Sequence, residues 1–138
     1  METSTFSEKN STVEVYILNE NKEFIIVFSA EDNNICSIPS GVAKEEENLE
    51  DAAKRIAKEE LAADIKIIGV SKNTFSYGEK KGKSVVAVLA PKYQRLKILG
   101  KDISGYKWIN KDQIYNYLEN LDKWLQAEKV FKEFSDYF

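Results

Sequence analysis

Four charged residues lie close together in one short stretch of the chain: Glu47, Arg55, Glu59 and Glu60. If the stretch is helical from Leu49 onward, Arg55 and Glu59 are four apart and share a face, with Glu60 beside them. Glu47 lies just before that helix, where the chain can fold it back against Arg55. Carboxylates on a loop that leads into more carboxylates on a helix suit a hard divalent cation, because Mg²⁺ takes oxygen ligands. The rest of the composition narrows the chemistry further. The chain has no histidine, which removes Ser-His and Cys-His catalysis and histidine-ligated zinc. Its single cysteine, Cys36, excludes an internal disulfide and a cysteine-rich zinc site. It reads as a buried strand residue in a protein of a reducing compartment. Any metal must then be held by oxygens, which favours Mg²⁺, Mn²⁺ or Ca²⁺.

The elements that must position these groups follow from pattern. Asn48 precedes an Ala- and Leu-rich run with Glu50 and Asp51 in its first turn, which predicts a helix over Leu49–Ala62. Ser37-Ile38-Pro39-Ser40-Gly41 predicts the turn that leads toward it. Upstream, Val13–Leu18 and Glu23–Ser29 read as strands, the second buried on both faces, and Ile35–Ile38 as a short strand. Downstream, Ile65–Tyr77 reads as one long strand, Gly78–Lys83 as a hairpin-like loop and Ser84–Ala90 as a buried strand. Arg95–Leu99 reads as a further strand, Gly100–Gly105 as a loop and Tyr106–Ile109 as a last short strand. A helix is predicted from Asn110 to about Leu118. In the tail, Leu121, Trp124, Leu125, Val130, Phe131, Phe134 and Tyr137 have helical spacing and read as a core-facing stripe.

At 138 residues, with 43% apolar and 31% charged residues, the chain reads as one domain over residues 12–138 after a flexible polar leader, 1–11. A net charge of −3 gives no general drive toward nucleic acid or anionic membranes. The N-terminus lacks the apolar core of a signal peptide and no run approaches a membrane span, so a cytoplasmic protein without a membrane partner is expected.

Gly41, five residues, Glu47, seven residues, Arg55, three residues and Glu59-Glu60, with Pro39 two before the glycine, resembles the Nudix box, the signature of Mg²⁺-dependent hydrolases of nucleoside diphosphates linked to another moiety. Five of its seven fixed residues are present. Ile56 stands where the family has glutamate and Ala62 where it has glycine, while Ala57 and Ala63 take the two apolar places. Lys81-Gly82-Lys83-Ser84-Val85-Val86 and Asp102-Ile103-Ser104-Gly105-Tyr106-Lys107-Trp108 are similar to segments of the dinucleoside tetraphosphate hydrolase branch, with Asp102 in place of a glutamate.

The resemblance implies an α/β (α+β) fold, the Nudix-type α/β/α sandwich around a mixed β-sheet. It implies Mg²⁺ or Mn²⁺ held by the Gly41 carbonyl, Glu59, Glu60 and Asp102, with Glu47 and Arg55 as the pair that fixes the loop to the helix. Lys81 and Lys83 are placed to reach a phosphate chain, as point charges, or to form a solvated hairpin tip. The resemblance suggests that Tyr77 stacks on an adenine; packing is the plainer reading. Lys92, Arg95, Lys97 and Lys101 read as a solvated face or as a basic rim.

The expected activity is hydrolysis of a pyrophosphate bond in a nucleoside polyphosphate, either a dinucleoside tetraphosphate or an RNA 5′ end. Ile56 can neither bind metal nor act as a base. The alternatives are therefore a Nudix-fold module that binds nucleotide or RNA, or a protein-interaction subunit. An unrelated α/β domain with an accidental match is the third.

Overall fold

The computed structural model describes residues 10–138; residues 1–9, most of the expected leader, lie outside them. The strands are β1 (Thr12–Leu18), β2 (Phe24–Ser29), β3 (Cys36–Ser37), β4 (Ser40–Val42), β5 (Ile65–Tyr77), β6 (Lys80–Leu89) and β7 (Ile103–Ile109). The α-helices are α1 (Leu49–Leu61), α2 (Ile114–Tyr117) and α3 (Leu121–Glu133). The seven strands form one mixed sheet in the order β3-β2-β1-β6-β5, with β4 on β1 and β7 on β2. β1 and β6 run parallel, from Thr12 opposite Gly82 to Leu18 opposite Val88, and the other pairs are antiparallel.

Alternation along β1 divides the interior. Val13, Val15 and Ile17 point to one face, where Ala52, Ala53, Ile56 and Ala57 of α1 cover them. Tyr16 and Leu18 point to the other, toward Ile114 of α2, Ala127 and Val130 of α3, and Phe138. The period of two in the strand and the apolar stripe of α1 produce helix–sheet–helix layering. This is the fold class expected from the sequence.

Several boundaries differ from the sequence reading. Most of the expected hairpin loop belongs to β6, since Tyr77 pairs with Lys80 and the turn is only Gly78-Glu79. Gly78 supplies its positive φ of 64° at no steric cost. Ser40–Val42 is not loop but β4, with Gly41 opposite Val13. Arg95–Leu99 forms no strand. Its backbone caps α1 instead, with the Lys97 amide donating to the Leu61 carbonyl and those of Leu99 and Gly100 to the Glu60 carbonyl. Helix-end carbonyls need partners as much as a sheet edge does, and here they take this segment. The tail helix stops at Glu133, and its buried arc is Gln126, Ala127 and Val130, while Leu121, Leu125 and Tyr137 are exposed.

Ala62 ends α1 at φ 55°, ψ 31°, with its amide donating to the Lys58 carbonyl and that of Ala63 to the Ala57 carbonyl. A residue with a Cβ is strained in this left-handed cap, where glycine is not. Ala62→Gly is expected to stabilise the protein by about 0.5–1 kcal/mol, read from its urea midpoint.

Candidate functional site

Asn48 caps α1, its side-chain oxygen accepting from the Asp51 amide at 2.8 Å. That cap fixes where the helix begins, and so which of its residues face the preceding turn. Arg55 then reaches back over the turn with its whole guanidinium. Its Nε donates to Glu47 Oε2 at 2.9 Å and its Nη2 to Glu47 Oε1 at 3.0 Å and to the Val42 carbonyl at 2.8 Å. Its Nη1 donates to Glu59 Oε1 at 2.9 Å. Glu47 Oε1 also accepts from the Lys44 amide at 2.9 Å. The Arg55 guanidinium holds the Glu47 carboxyl at about 2, far below its usual range, and Glu47 raises the Arg55 pKa in return. The turn, the loop and the helix are thus tied together by one planar fork, a geometry that lysine cannot supply.

Glu60 lies on the side of the helix end nearest the 97–102 segment. A Cβ added at Gly100 would stand 2.3 Å from its Oε2, so the missing side chain at Gly100 makes room for the carboxylate. Burial pushes the Glu60 carboxyl up, and the charges of Asp102 and Glu59 add to the effect. Asp102 is exposed, and its carbonyl accepts from the Ala30 amide. Glu59, Glu60 and Asp102 thus face one electrostatic environment from two parts of the chain. Among the described residues, no three His, Cys, Asp or Glu side chains stand close enough to hold a metal ion together. The donors are all oxygens, and like charges crowd Glu60. That chemistry fits a hard cation.

Gly41 sits over Ile56. A Cβ there would come within 2.8 Å of Ile56 Cγ1 and 3.0 Å of Cδ1. Ile56 itself is fully buried in the α1-side core, so apolar atoms occupy the space beneath the Gly41 turn. Gly41→Ala is expected to cost about 1–3 kcal/mol. In an Ile56→Ala background that cost should fall by at least about 1 kcal/mol, a difference measurable in a denaturant double-mutant cycle.

The remaining expected residues come from β5 and β6, where Lys83 stands opposite Val13, the β1 residue that also pairs with Gly41. Lys81 is exposed and Lys83 half-buried, both on β6. Tyr77 ends β5 with its ring stacked on Phe75 (centroids 4.4 Å apart) and Lys123 Nζ 5.9 Å from its centroid. Its hydroxyl donates to Glu14 Oε2 at 3.0 Å. The plainer packing reading therefore describes one ring face of Tyr77.

Sequence reasoning missed Glu14. It is buried in β1, and Ser84 donates to its Oε1 at 2.9 Å. The signal was there: it is the one charged residue in an otherwise apolar and aromatic strand, Val13–Leu18.

The profile described as the NUDIX domain matches residues 8–134. No curated protein matches the chain in sequence. Among solved structures, a C. elegans Ap4A hydrolase binary complex superposes with a TM-score of 0.74 at 18% identity, covering 93% of this chain and 100% of that one. An E. coli dihydroneopterin triphosphate pyrophosphohydrolase gives 0.68 at 16% identity, covering 91% and 98%. An ADP-ribose pyrophosphatase from Streptococcus suis gives 0.68 at 14% identity, covering 90% of each. At these identities the structural likeness establishes the fold.

Proposed function

The chain belongs to the Nudix family, and from that premise we propose that it hydrolyses a pyrophosphate bond in a nucleoside polyphosphate with the help of Mg²⁺ or Mn²⁺. The substrate classes that fit are a dinucleoside tetraphosphate and an RNA 5′ end. Residues 12–138 act as one domain, and the place of action is cytoplasmic. No helix among the described residues is long and apolar enough to cross a membrane.

One observation carries this reading. The Arg55 fork ties Glu47, Glu59 and the Val42 carbonyl into a single unit, next to the carboxylate pair Glu60 and Asp102, which repel each other. Glu59, Glu60, Asp102 and the Gly41 carbonyl are the oxygens that would hold the cation. When bound, a divalent ion neutralises phosphate charge and lowers the pKa of a water. The chain's own residues do the rest. Arg55 keeps Glu47 ionised and the Gly41–Glu47 turn fixed against the helix, and Lys81 and Lys83 attract the phosphate chain. Neighbours named for Ap4A and ADP-ribose suggest the same class of bond, a phosphoanhydride between two phosphoryl groups.

The test is a panel of dinucleoside tetraphosphates, triphosphorylated RNA ends and nucleoside triphosphates with Mg²⁺ or Mn²⁺, read by product release beside a melting curve with and without metal. Cleavage of at least one substrate and a metal-dependent rise in Tm are expected. An inert panel with an unchanged Tm would remove the hydrolase reading.

A second reading has its own observation. Ile56 is sealed into the core beneath Gly41, and no three carboxylates stand ready to share an ion among the described residues. A general base is worth ~10²–10⁴ in rate. A chain that lacks one at this place could bind nucleotide or RNA, or serve as an interaction subunit, without turnover. Nucleotide binding in the same panel, with no product formed, would favour it.

A further inference from the structure

Gly100 lies in the irregular segment between β6 and β7, which is pinned to the end of α1 and the turn after it. The Gln94 side chain accepts from the Asp64 amide at 2.8 Å. It also donates to the Asp64 carbonyl at 2.8 Å and to the Pro91 carbonyl at 2.7 Å. The Lys97 amide donates to the Leu61 carbonyl at 2.9 Å, and those of Leu99 and Gly100 to the Glu60 carbonyl at 2.9 and 3.2 Å. Helix-end carbonyls have no partner within the helix, so these bonds fix the segment where it lies. Two residues beyond Gly100 stands Asp102, whose charge reaches the Glu60 carboxyl.

The backbone does not ask for glycine at this place. Among the glycines only Gly78 takes a positive φ, so Gly100 is outside the left-handed region that favours a residue without Cβ. Gly82 shows the other usual need: a Cβ there would stand 1.7 Å from the Thr12 carbonyl oxygen, inside the β1–β6 ladder. At Gly100 the three atoms nearest an added Cβ are Glu60 Oε2 at 2.3 Å, Cδ at 2.6 Å and Oε1 at 2.8 Å. All three belong to one carboxyl group. Ordinary contact needs about 3.5 Å, so that group would have to withdraw by roughly 1 Å. The pinned backbone cannot yield, whereas a glutamate side chain can.

We propose, resting on the hydrolase reading of Glu60 and Asp102 as cation ligands, that Gly100 is a positioning residue for that site. Its missing side chain lets the Glu60 carboxylate lie against the strap that carries Asp102. Cation–oxygen distances tolerate deviations of about 0.2 Å, well below the displacement that a methyl group would force. Replacing residues that orient metal ligands typically costs ~10–100-fold in affinity. Alanine at this position therefore acts with opposite signs on two quantities. It narrows the unfolded ensemble, which favours the fold, and it moves one ligand, which weakens the hold on the ion.

The test is calorimetric titration of the full chain with Mn²⁺ alone, beside melting curves without metal. The parent, Gly100→Ala, Glu60→Asp and the double variant are compared. Gly100→Ala is expected to bind Mn²⁺ at least about 10-fold more weakly, with a metal-free Tm within about 2 °C of the parent's or higher. Aspartate is one methylene shorter and clears the added methyl group, so the two substitutions should not compound. The loss in the double variant should fall short of the product of the single losses by at least about 3-fold. Parental Mn²⁺ affinity in Gly100→Ala, a larger fall in its metal-free Tm, or losses that multiply in the double variant would each overturn the proposal. So would a parent that binds no Mn²⁺. A parent that shows the expected pattern but cleaves nothing in the substrate panel loses only the hydrolase reading. One that cleaves, while Gly100→Ala keeps the parent's affinity, loses only the positioning role.

Discussion

Glu60→Gln is expected to lower turnover by about 100-fold or more in metal-supplemented assays while leaving the fold intact. The two effects separate because Glu60 does two jobs with different atoms. Its backbone carbonyl accepts from the Leu99 and Gly100 amides and so anchors the 97–100 segment on the end of α1. Glutamine keeps that bond and nearly the same volume beside Gly100. What it loses is the charge, the quantity that a divalent cation and a developing phosphate transition state both need. Without metal the variant should be as stable as the parent or slightly more so, since the crowding of Glu60 by Asp102 and Glu59 is relieved. The rise in Tm on adding Mn²⁺ should shrink. Unchanged turnover would remove Glu60 from the chemistry, and the hydrolase reading with it.

Arg55→Ala should be costly in both stability and activity. It removes all four bonds of the fork and leaves Glu47, whose side chain is only 15% exposed, facing the Lys44 amide alone. A carboxyl moved from 4.5 to about 2 sets a ceiling of ~3 kcal/mol on the linkage contribution. Partial exposure and ionic screening lower the expectation to about 2 kcal/mol near neutral pH. The sign follows from the depressed pKa. The contribution is fully present above about pH 4.5 and is lost as pH falls toward 2. The stability gap between the parent and Arg55→Ala should therefore be wide at pH 7 and close progressively between pH 4.5 and 2. Arg55→Lys should recover little of it, because an ammonium cannot make the two parallel bonds to Glu47. Urea midpoints across that range check the trend; a gap independent of pH would mean that the fork contributes packing rather than charge pairing.

How legible these groups were in the sequence depended on how local their causes are. Asn48 as cap, the span of α1 and the approach of Glu47 to Arg55 all follow from spacings under a dozen residues, so periodicity and capping chemistry were sufficient. β1 and β2 were equally plain because their side chains alternate or are uniformly apolar. The failures share a different cause. Ser40–Val42 became a strand because β1 offered unpaired backbone beside it. Lys97–Gly100 did not, because the end of α1 offered carbonyls. In both cases the partner is remote in sequence, and backbone bonding to it left no mark on composition. The tail stripe was legible as a helix and in part as a face, since Val130 is buried and Trp124, Phe131 and Phe134 pack against the same core. Leu121 and Leu125 match the period, yet packing turned inward the arc of Gln126, Ala127 and Val130, about 100–200° around the axis from Leu125. Glu14 carried the one signal that a periodicity reading passes over, a charge on an inward-facing strand position.

The parallel pairing of β1 with β6 also has a consequence for how the chain is made. Thr12 meets Gly82 and Leu18 meets Val88, so the central contact of the sheet joins segments 70 residues apart, and everything from Gly41 to Glu60 lies inside the loop that it closes. Closing so long a loop is entropically slow and comes late relative to local turns and helices. On the ribosome, α1 is synthesised well before the strand that completes the sheet beneath it, and Asp102 emerges later still. A chain arrested before residue 88 holds the whole acidic motif without the framework that orients it, so competence waits until β6 and then Asp102 have emerged.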